Sequence, residues 1–128
     1  VKKIKDMARE YGLTKDVFFI PPQNDINQFY SMFDAFVLPS RFEGLGIVAI
    51  EAQVSNLSCI CSDGVPEDVN VTGNVKFLSL KDSPDFWAKK ILEGPFPKRL
   101  SRVADLKKGG YDIKEETKFI ENIYQKIL

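Results

Sequence analysis

Histidine is absent from all 128 positions of the sequence, and this absence removes several kinds of catalytic site. Ser-His-Asp and Cys-His nucleophile systems depend on an imidazole base, and many zinc sites depend on imidazole ligands. Any acid, base or electrostatic role must therefore come from carboxylates, lysine, arginine or the backbone.

Net charge is also absent, because 18 Lys and Arg balance 18 Asp and Glu. No long-range field would gather nucleic acid or an acidic membrane, so an anionic ligand has to be held locally. No apolar run approaches the roughly 20 residues of a membrane span, and no signal peptide is visible. The start at Val1 rather than Met suggests a fragment or a trimmed chain.

Cysteine occurs only twice, as Cys59 and Cys61 in "SCICS". Residues two apart on a strand point to one face but lie too far apart for easy bridging. The pattern predicts two buried free thiols. Free thiols fit the cytosol, so we expect a cytoplasmic protein, with peripheral attachment at the inner face of the membrane left open.

Apolar spacing predicts helices that alternate with short apolar strands. Helices are predicted at 1–11, 26–33, 46–55, 83–93 and 112–128, and strands at 16–20, 35–38, 58–62 and 74–80. Strands that are almost entirely apolar favour a parallel sheet covered by helices on both faces. The predicted fold is therefore α/β and Rossmann-like, with residues 1–128 forming one domain that ends in a terminal helix over 112–128.

Several positions have predicted local roles. Asn24 or Asp25 is a candidate N-cap of the second helix, and Ser83 is the candidate N-cap of the helix that begins at Pro84. Asn56 stands where a left-handed residue often ends a helix. On the 83–93 helix, the residues predicted to face inward are Phe86, Trp87, Ile91 and Leu92.

The stretch "FVLPSRFEGLGIVAIEA" carries the chemistry of this sequence. In an open parallel sheet, ligands bind beyond the carboxyl ends of strands, where loops lead into helix N-termini. Gly44 and Gly46 would allow a close backbone approach, and the following N–H groups would suit a phosphate. Glu43 in the loop and Glu51 in the helix could each accept hydrogen bonds from vicinal hydroxyls. This combination suits a nucleotide-sugar, although a turn glutamate and a solvated helix glutamate are the structural alternatives.

The same stretch resembles the donor-site signature of GT-B glycosyltransferases of family 4, in which two glutamates lie eight positions apart (E-x7-E). Ser40, Glu43, Gly44, Gly46 and Glu51 match this signature, and Leu45 replaces its common Phe. The resemblance extends over residues 1–95 and includes the terminal helix. The segments "VPEDVNVTGNVKFLSL" and "SPDFWAKKIL" are similar in sequence to segments of bacterial capsular and exopolysaccharide transferases.

The resemblance implies a role for each matching residue. Glu43 would be the catalytic residue, contacting hydroxyls of the transferred sugar without acting as a covalent nucleophile, and Glu51 would hold the ribose. Backbone N–H groups at Leu45 and Gly46 would face the diphosphate, with Ser40 and Gly44 in the same donor site. The base would lie against residues 21–23, which include Pro22, and Arg41 is a candidate contact to phosphate or acceptor.

The resemblance further implies sugar transfer with retention at the anomeric carbon, without a metal or other cofactor. No Asp-x-Asp metal motif is present, which agrees. The donor would be a nucleotide-sugar, with UDP expected because uracil is the commonest base in this family. The acceptor would be a glycan or a lipid-linked sugar. By this resemblance, residues 1–128 would be a partial C-terminal, donor-binding domain of the GT-B fold that lacks its first two strands. A complete GT-B enzyme also has a preceding domain, which would have to come from the same or a separate polypeptide. We therefore expect no activity from the chain alone, and its exposed strand edges favour a homodimer.

Two other interpretations stay open at this point. One is a sugar-nucleotide-binding or assembly module without catalysis. The other is a flavodoxin-like receiver or nucleotide-binding regulatory domain, which would need an acidic cluster at early strand ends that "VFFIPP" does not offer.

Overall fold

The computed structural model describes residues 2–127, so Val1 and Leu128, the predicted outer ends of the first and last helices, lie outside it. Helices and strands alternate along most of the described chain. In order they are α1 Lys2–Glu10, α2 Ile26–Met32, β1 Ala35–Leu38, α3 Ile47–Val54, β2 Ser58–Ser62, β3 Val75–Leu78, α4 Pro84–Leu92, α5 Val103–Lys108 and α6 Ile113–Ile127, with a 3-10 turn at Glu67–Val69. The predicted α/β class is confirmed.

The three strands form one parallel sheet in the order β1-β2-β3. Phe36 pairs with Cys59, and Cys59 pairs in turn with Val75. All five residues of β2 are buried, because this strand has a neighbour on each side and helical or loop segments over both faces. Its continuous burial is typical of a central parallel strand and fits a Rossmann-like half-domain.

The main core lies between one face of this sheet and helix α3. Cys59 and Cys61 are fully buried in it as free thiols, as predicted. Cys59 Sγ lies 3.8 Å from the Ala49 carbonyl oxygen of α3. The buried members of this core are Tyr30, Ala49, Ile50, Ala52, Leu57, Cys59, Cys61, Val65, Val69 and Val75.

The predicted strand at 16–20 is wrong. Residues 17–23 have no regular secondary structure, and Phe18 and Ile20 are 78% and 52% exposed. A strand needs a neighbour to satisfy its backbone groups, and β1 pairs only with β2 among the described residues. Apolar, β-favouring residues in this stretch therefore remain an extended segment on the surface.

The inward face predicted for the 83–93 helix is also wrong in part. Helix α4 has no buried residue, Phe86 is 39% exposed and Leu92 is 77% exposed. Trp87 is half-buried rather than in the core, and its Nε1 donates to the Ser79 carbonyl at 3.0 Å. The polar end of the indole therefore anchors α4 at the loop after β3.

Helix boundaries follow the sequence signals more closely. Ser83 caps α4 by accepting from the Phe86 N–H, and Asn56 adopts φ 55° after α3, both as predicted. Asp25 is the N-cap of α2 but makes no side-chain capping bond. Phe33, predicted inside that helix, is its extended C-cap.

The terminal helix α6 agrees with the predicted 112–128 segment in type and extent, but none of its residues is buried. Its apolar residues are all largely exposed, namely Ile113, Phe119, Ile120, Ile123, Tyr124 and Ile127. None of the helices in residues 2–127 has the length and apolar character needed to cross a membrane.

Candidate donor site at the carboxyl end of the sheet

A loop over residues 39–46 joins the carboxyl end of β1 to the N-terminus of α3. Gly46 is the N-cap of α3 and has φ 75°, a left-handed conformation that favours glycine. Strands in a parallel sheet end at the same edge, so the segment that follows β2 lies beside this loop. The site is built where these two connections meet.

Glu43 is held in this loop by side-chain and backbone contacts. Ser40 Oγ donates to Glu43 Oε1 at 2.6 Å, and the Glu43 N–H donates to the Gly64 carbonyl at 3.1 Å. Ser62 Oγ donates in turn to the Ser40 carbonyl oxygen. The half-buried Glu43 carboxylate is therefore fixed by residues that follow both β1 and β2.

Gly64 permits the close approach of the two connections. A Cβ at this position would lie 2.4 Å from the Arg41 carbonyl oxygen and 2.8 Å from that of Ser40, which no side chain could tolerate. A Cβ at Gly46 would lie 3.1 Å from Val65 Cγ1. Gly44 is exposed, and a Cβ built at this position would have no atom within 4 Å, so packing alone does not require glycine there.

Glu51 lies on α3 and is held from a different element. The Tyr30 hydroxyl, on α2, lies 3.2 Å from Glu51 Oε2 and 3.4 Å from the Val48 carbonyl oxygen. Burial, and after it the charge of Glu51 and the hydrogen bond to it, raise the pKa of Tyr30 to about 12. The phenol, which is protonated at neutral pH in any case, therefore remains a donor into the alkaline range as well.

The N-terminus of α3 supplies backbone donors between the two glutamates. The first N–H groups of a helix have no intrahelical acceptor and point toward its N-terminal end, where the helix dipole favours an anion. Gly46 is buried at this point, and Leu45 packs against the core. Arg41 is exposed in the same loop, where its positive charge can reach an approaching anion.

Pro22 lies in an apolar groove with its own lining residues. The groove has a volume of about 420 Å³, and Pro22 lines it together with Ile20, Pro21, Gln23, Ile26, Phe29 and Phe33. None of the loop residues 40–46 lines this groove, and neither does Glu51. The structure therefore brings Ser40, Glu43 and the start of α3 together, and the base contact at Pro22 stays a prediction.

The sequence pattern did not predict three residues of this site, namely Tyr30, Ser62 and Gly64. Tyr30 falls within the predicted 26–33 helix, and a tyrosine on an apolar helix face needs a partner for its hydroxyl. Gly64 lies two residues beyond the end of β2, and a glycine in such a connection is a usable signal of close backbone approach. Neither signal could have named the partner.

Comparison with known proteins extends the match well beyond this loop. Residues 1–94 match the profile of the family described as "Glycosyl transferases group 1". The chain is 36% identical over 126 residues to EpsF of Bacillus subtilis (strain 168), named as a glycosyltransferase, covering 95% of this chain and 33% of that protein. It is 32% identical over 105 residues to a D-inositol 3-phosphate glycosyltransferase of Mycolicibacterium vanbaalenii, covering 77% of this chain and 23% of that protein.

These relatives are much longer than the chain, which spans about a third or less of their length. No solved structure matches at a comparable level of significance. The family match covers well over half of the chain and contains the whole of the loop from Pro39 to Gly46 and helix α3. The chain therefore belongs to the group 1 family of glycosyl transferases.

Proposed function

We propose that this chain is the donor-binding part of a retaining glycosyltransferase that takes a sugar from a nucleotide-sugar and passes it to a glycan or lipid-linked acceptor. The observation that carries the proposal is the pair of fixed carboxylates beside the N-terminus of α3, with Glu43 held by Ser40 and Gly64, and Glu51 approached by Tyr30. Family membership supports the transfer of a sugar.

In this proposal each part of the site meets one part of the donor. Glu43 accepts hydrogen bonds from the sugar and Glu51 from the ribose, because carboxylate oxygens suit vicinal hydroxyls. Backbone N–H groups at Leu45 and Gly46 receive the diphosphate, and Arg41 adds positive charge near it. Stabilised charge on the departing diphosphate assists cleavage of the anomeric bond without requiring a metal.

We propose uridine as the base and polysaccharide biosynthesis as the setting, the latter by similarity to EpsF. The two buried free thiols fit a cytoplasmic location. Because the chain spans a third of EpsF, we propose that an additional GT-B domain supplies the acceptor site and that the isolated chain transfers no sugar.

A non-catalytic sugar-nucleotide-binding module is the second candidate, favoured by that same short span. Joining the chain to an upstream domain encoded beside it distinguishes the two. Transfer from a nucleotide-sugar by the joined protein supports the enzyme, and binding without transfer supports the module.

Calorimetric titration of the chain with UDP, GDP and ADP tests donor binding. We expect one of the three to bind, and Glu51→Ala to weaken this binding at least tenfold, because hydrogen bonds to a charged group are lost. Glu121→Ala on the exposed helix α6 is the matched control and should bind like the wild type. Equal binding by Glu51→Ala and the wild type would contradict the proposed role of Glu51.

A further inference from the structure

Tyr30 places a phenol hydroxyl inside the core beside the candidate donor site. The residue is only 3% exposed, and its ring packs edge-on against Phe36 of β1 with centroids 5.9 Å apart and planes at 79°. A buried hydroxyl needs a hydrogen-bond partner. Packing by α2 and β1 fixes the ring, so the position of the hydroxyl is fixed as well.

The hydroxyl has one proton and two acceptors within reach. Glu51 Oε2 lies at 3.2 Å and the Val48 carbonyl oxygen at 3.4 Å. A carboxylate is the stronger acceptor, because a hydrogen bond to an ionised group is roughly twice as strong as one between neutral groups. The shorter distance is also the one to Glu51, so the proton belongs to that contact.

This contact leaves acceptor capacity on Glu51. A carboxylate has about four lone-pair sites on two oxygens, and Tyr30 takes one site on Oε2. A free glutamate side chain must lose rotamer freedom when it binds a ligand. Here the buried phenol has already restricted the carboxylate before any ligand arrives.

We infer that Tyr30 is a positioning residue for the nucleotide ribose, acting by holding the Glu51 carboxylate in one orientation. The inference rests on the proposed donor function and adds to it a residue outside the E-x7-E signature. Tyr30 contacts Glu51 rather than the reacting atoms, so its effect should appear only with ligands that use Glu51.

The test removes the ribose hydroxyls of the ligand and the Tyr30 hydroxyl of the protein, separately and together, and measures the affinity in each case. Wild type and Tyr30→Phe are titrated with whichever of UDP, GDP and ADP binds best, and with its 2′,3′-dideoxy form. We expect Tyr30→Phe to weaken binding of the ribose form about threefold to tenfold, the cost of immobilising one flexible side chain when the ligand binds. Binding of the dideoxy form should stay unchanged, because it cannot use Glu51. The control is Tyr111→Phe, at a half-buried tyrosine that packs against the core, and it should leave both unchanged.

If Tyr30 had only a structural role, Tyr30→Phe would weaken the binding of both ligands equally, and that result would overturn the inference. Equal affinity of Tyr30→Phe and wild type for the ribose form would overturn it as well. If Glu51→Ala weakens binding while Tyr30→Phe does not, the donor function stands and only the inference fails. If the wild type binds no nucleotide, the proposed function fails and the inference falls with it.

Discussion

Gly64 and its neighbours determine the shape of the donor loop at the scale of single residues. A methyl group at Gly64 would sit 2.4 Å from the Arg41 carbonyl oxygen, so Gly64→Ala must push the two connections apart. We expect it to lower the free energy of unfolding by about 1–3 kcal/mol, the usual cost of overpacking. Urea denaturation measures this change.

Gly44→Ala is the matched control, since its Cβ would meet nothing within 4 Å. It should change the free energy of unfolding by less than about 1 kcal/mol. Equal destabilisation by the two variants would show that contact with Arg41 does not decide the effect at Gly64.

Three buried weak acids predict how stability depends on alkaline pH. Burial raises the pKa of Cys59 to about 12, that of Cys61 to about 11 and that of Tyr30 to about 12. Below the ordinary thiol and phenol pKa values the folded and unfolded states are both protonated. Above them the unfolded state loses its protons first, so the free energy of unfolding should fall from about pH 9 toward pH 12.

Urea denaturation at several values between pH 7 and pH 11 tests this dependence. Tyr30→Phe removes one of the three groups and should make the decline shallower. If the free energy of unfolding falls with pH at the same slope in the variant, the pKa of Tyr30 is the same in the folded and unfolded chains, and the prediction is wrong.

The residues of the site differ in how far sequence could predict them. Glu43 and Glu51 were identified because their spacing belongs to a local motif within 12 positions. Tyr30 and Gly64 act through partners more than 20 positions away in the chain. Such contacts depend on how elements pack, and a single sequence does not specify that packing.

Secondary structure elements were predictable wherever their environment is complete. The β2 strand appears over the predicted residues 58–62, because it has a neighbour on each side and its apolar pattern matches its burial. The stretch 16–20, with Val17, Phe18, Phe19 and Ile20, is also rich in β-favouring residues but has no pairing strand among the described residues. Composition indicates that a segment can be a strand, but pairing decides whether it is one.

Helix α4 offers a test of an element boundary. Ser83 Oγ accepts the Phe86 N–H at 3.2 Å, which satisfies one free donor of the first turn. Ser83→Ala should lower the free energy of unfolding by about 1 kcal/mol. Ser101→Ala, at another exposed serine, is the control and should have little effect. Equal results for the two variants in urea denaturation would show that α4 does not depend on its cap.

The whole molecule exposes more surface than a monomer of its size should. Its accessible area is 9660 Å² for 14.5 kDa, whereas the usual scaling for folded monomers gives roughly 6,900 Å². The excess of about 2,800 Å² is comparable to a large protein interface. Residues 17–20 and helix α6 carry many of the exposed large apolar side chains.

We therefore predict that the isolated chain associates with itself, as its exposed β1 edge also favours. Sedimentation velocity at increasing concentration should show dimers or larger species replacing monomer. A single monomeric species up to about 100 µM, well above the Kd of a typical specific interface, would contradict this prediction.

Mapping of nucleotide binding on the amide NMR spectrum tests the central claim of a donor site most directly. If the chain binds the donor as proposed, addition of UDP should shift the amide signals of residues 44–48 and of Glu51, with smaller changes elsewhere. Shifts that instead cluster around Ser31, Arg99 and Ser101, which line a separate cavity of about 390 Å³, would contradict the assignment of the donor site to the loop before α3.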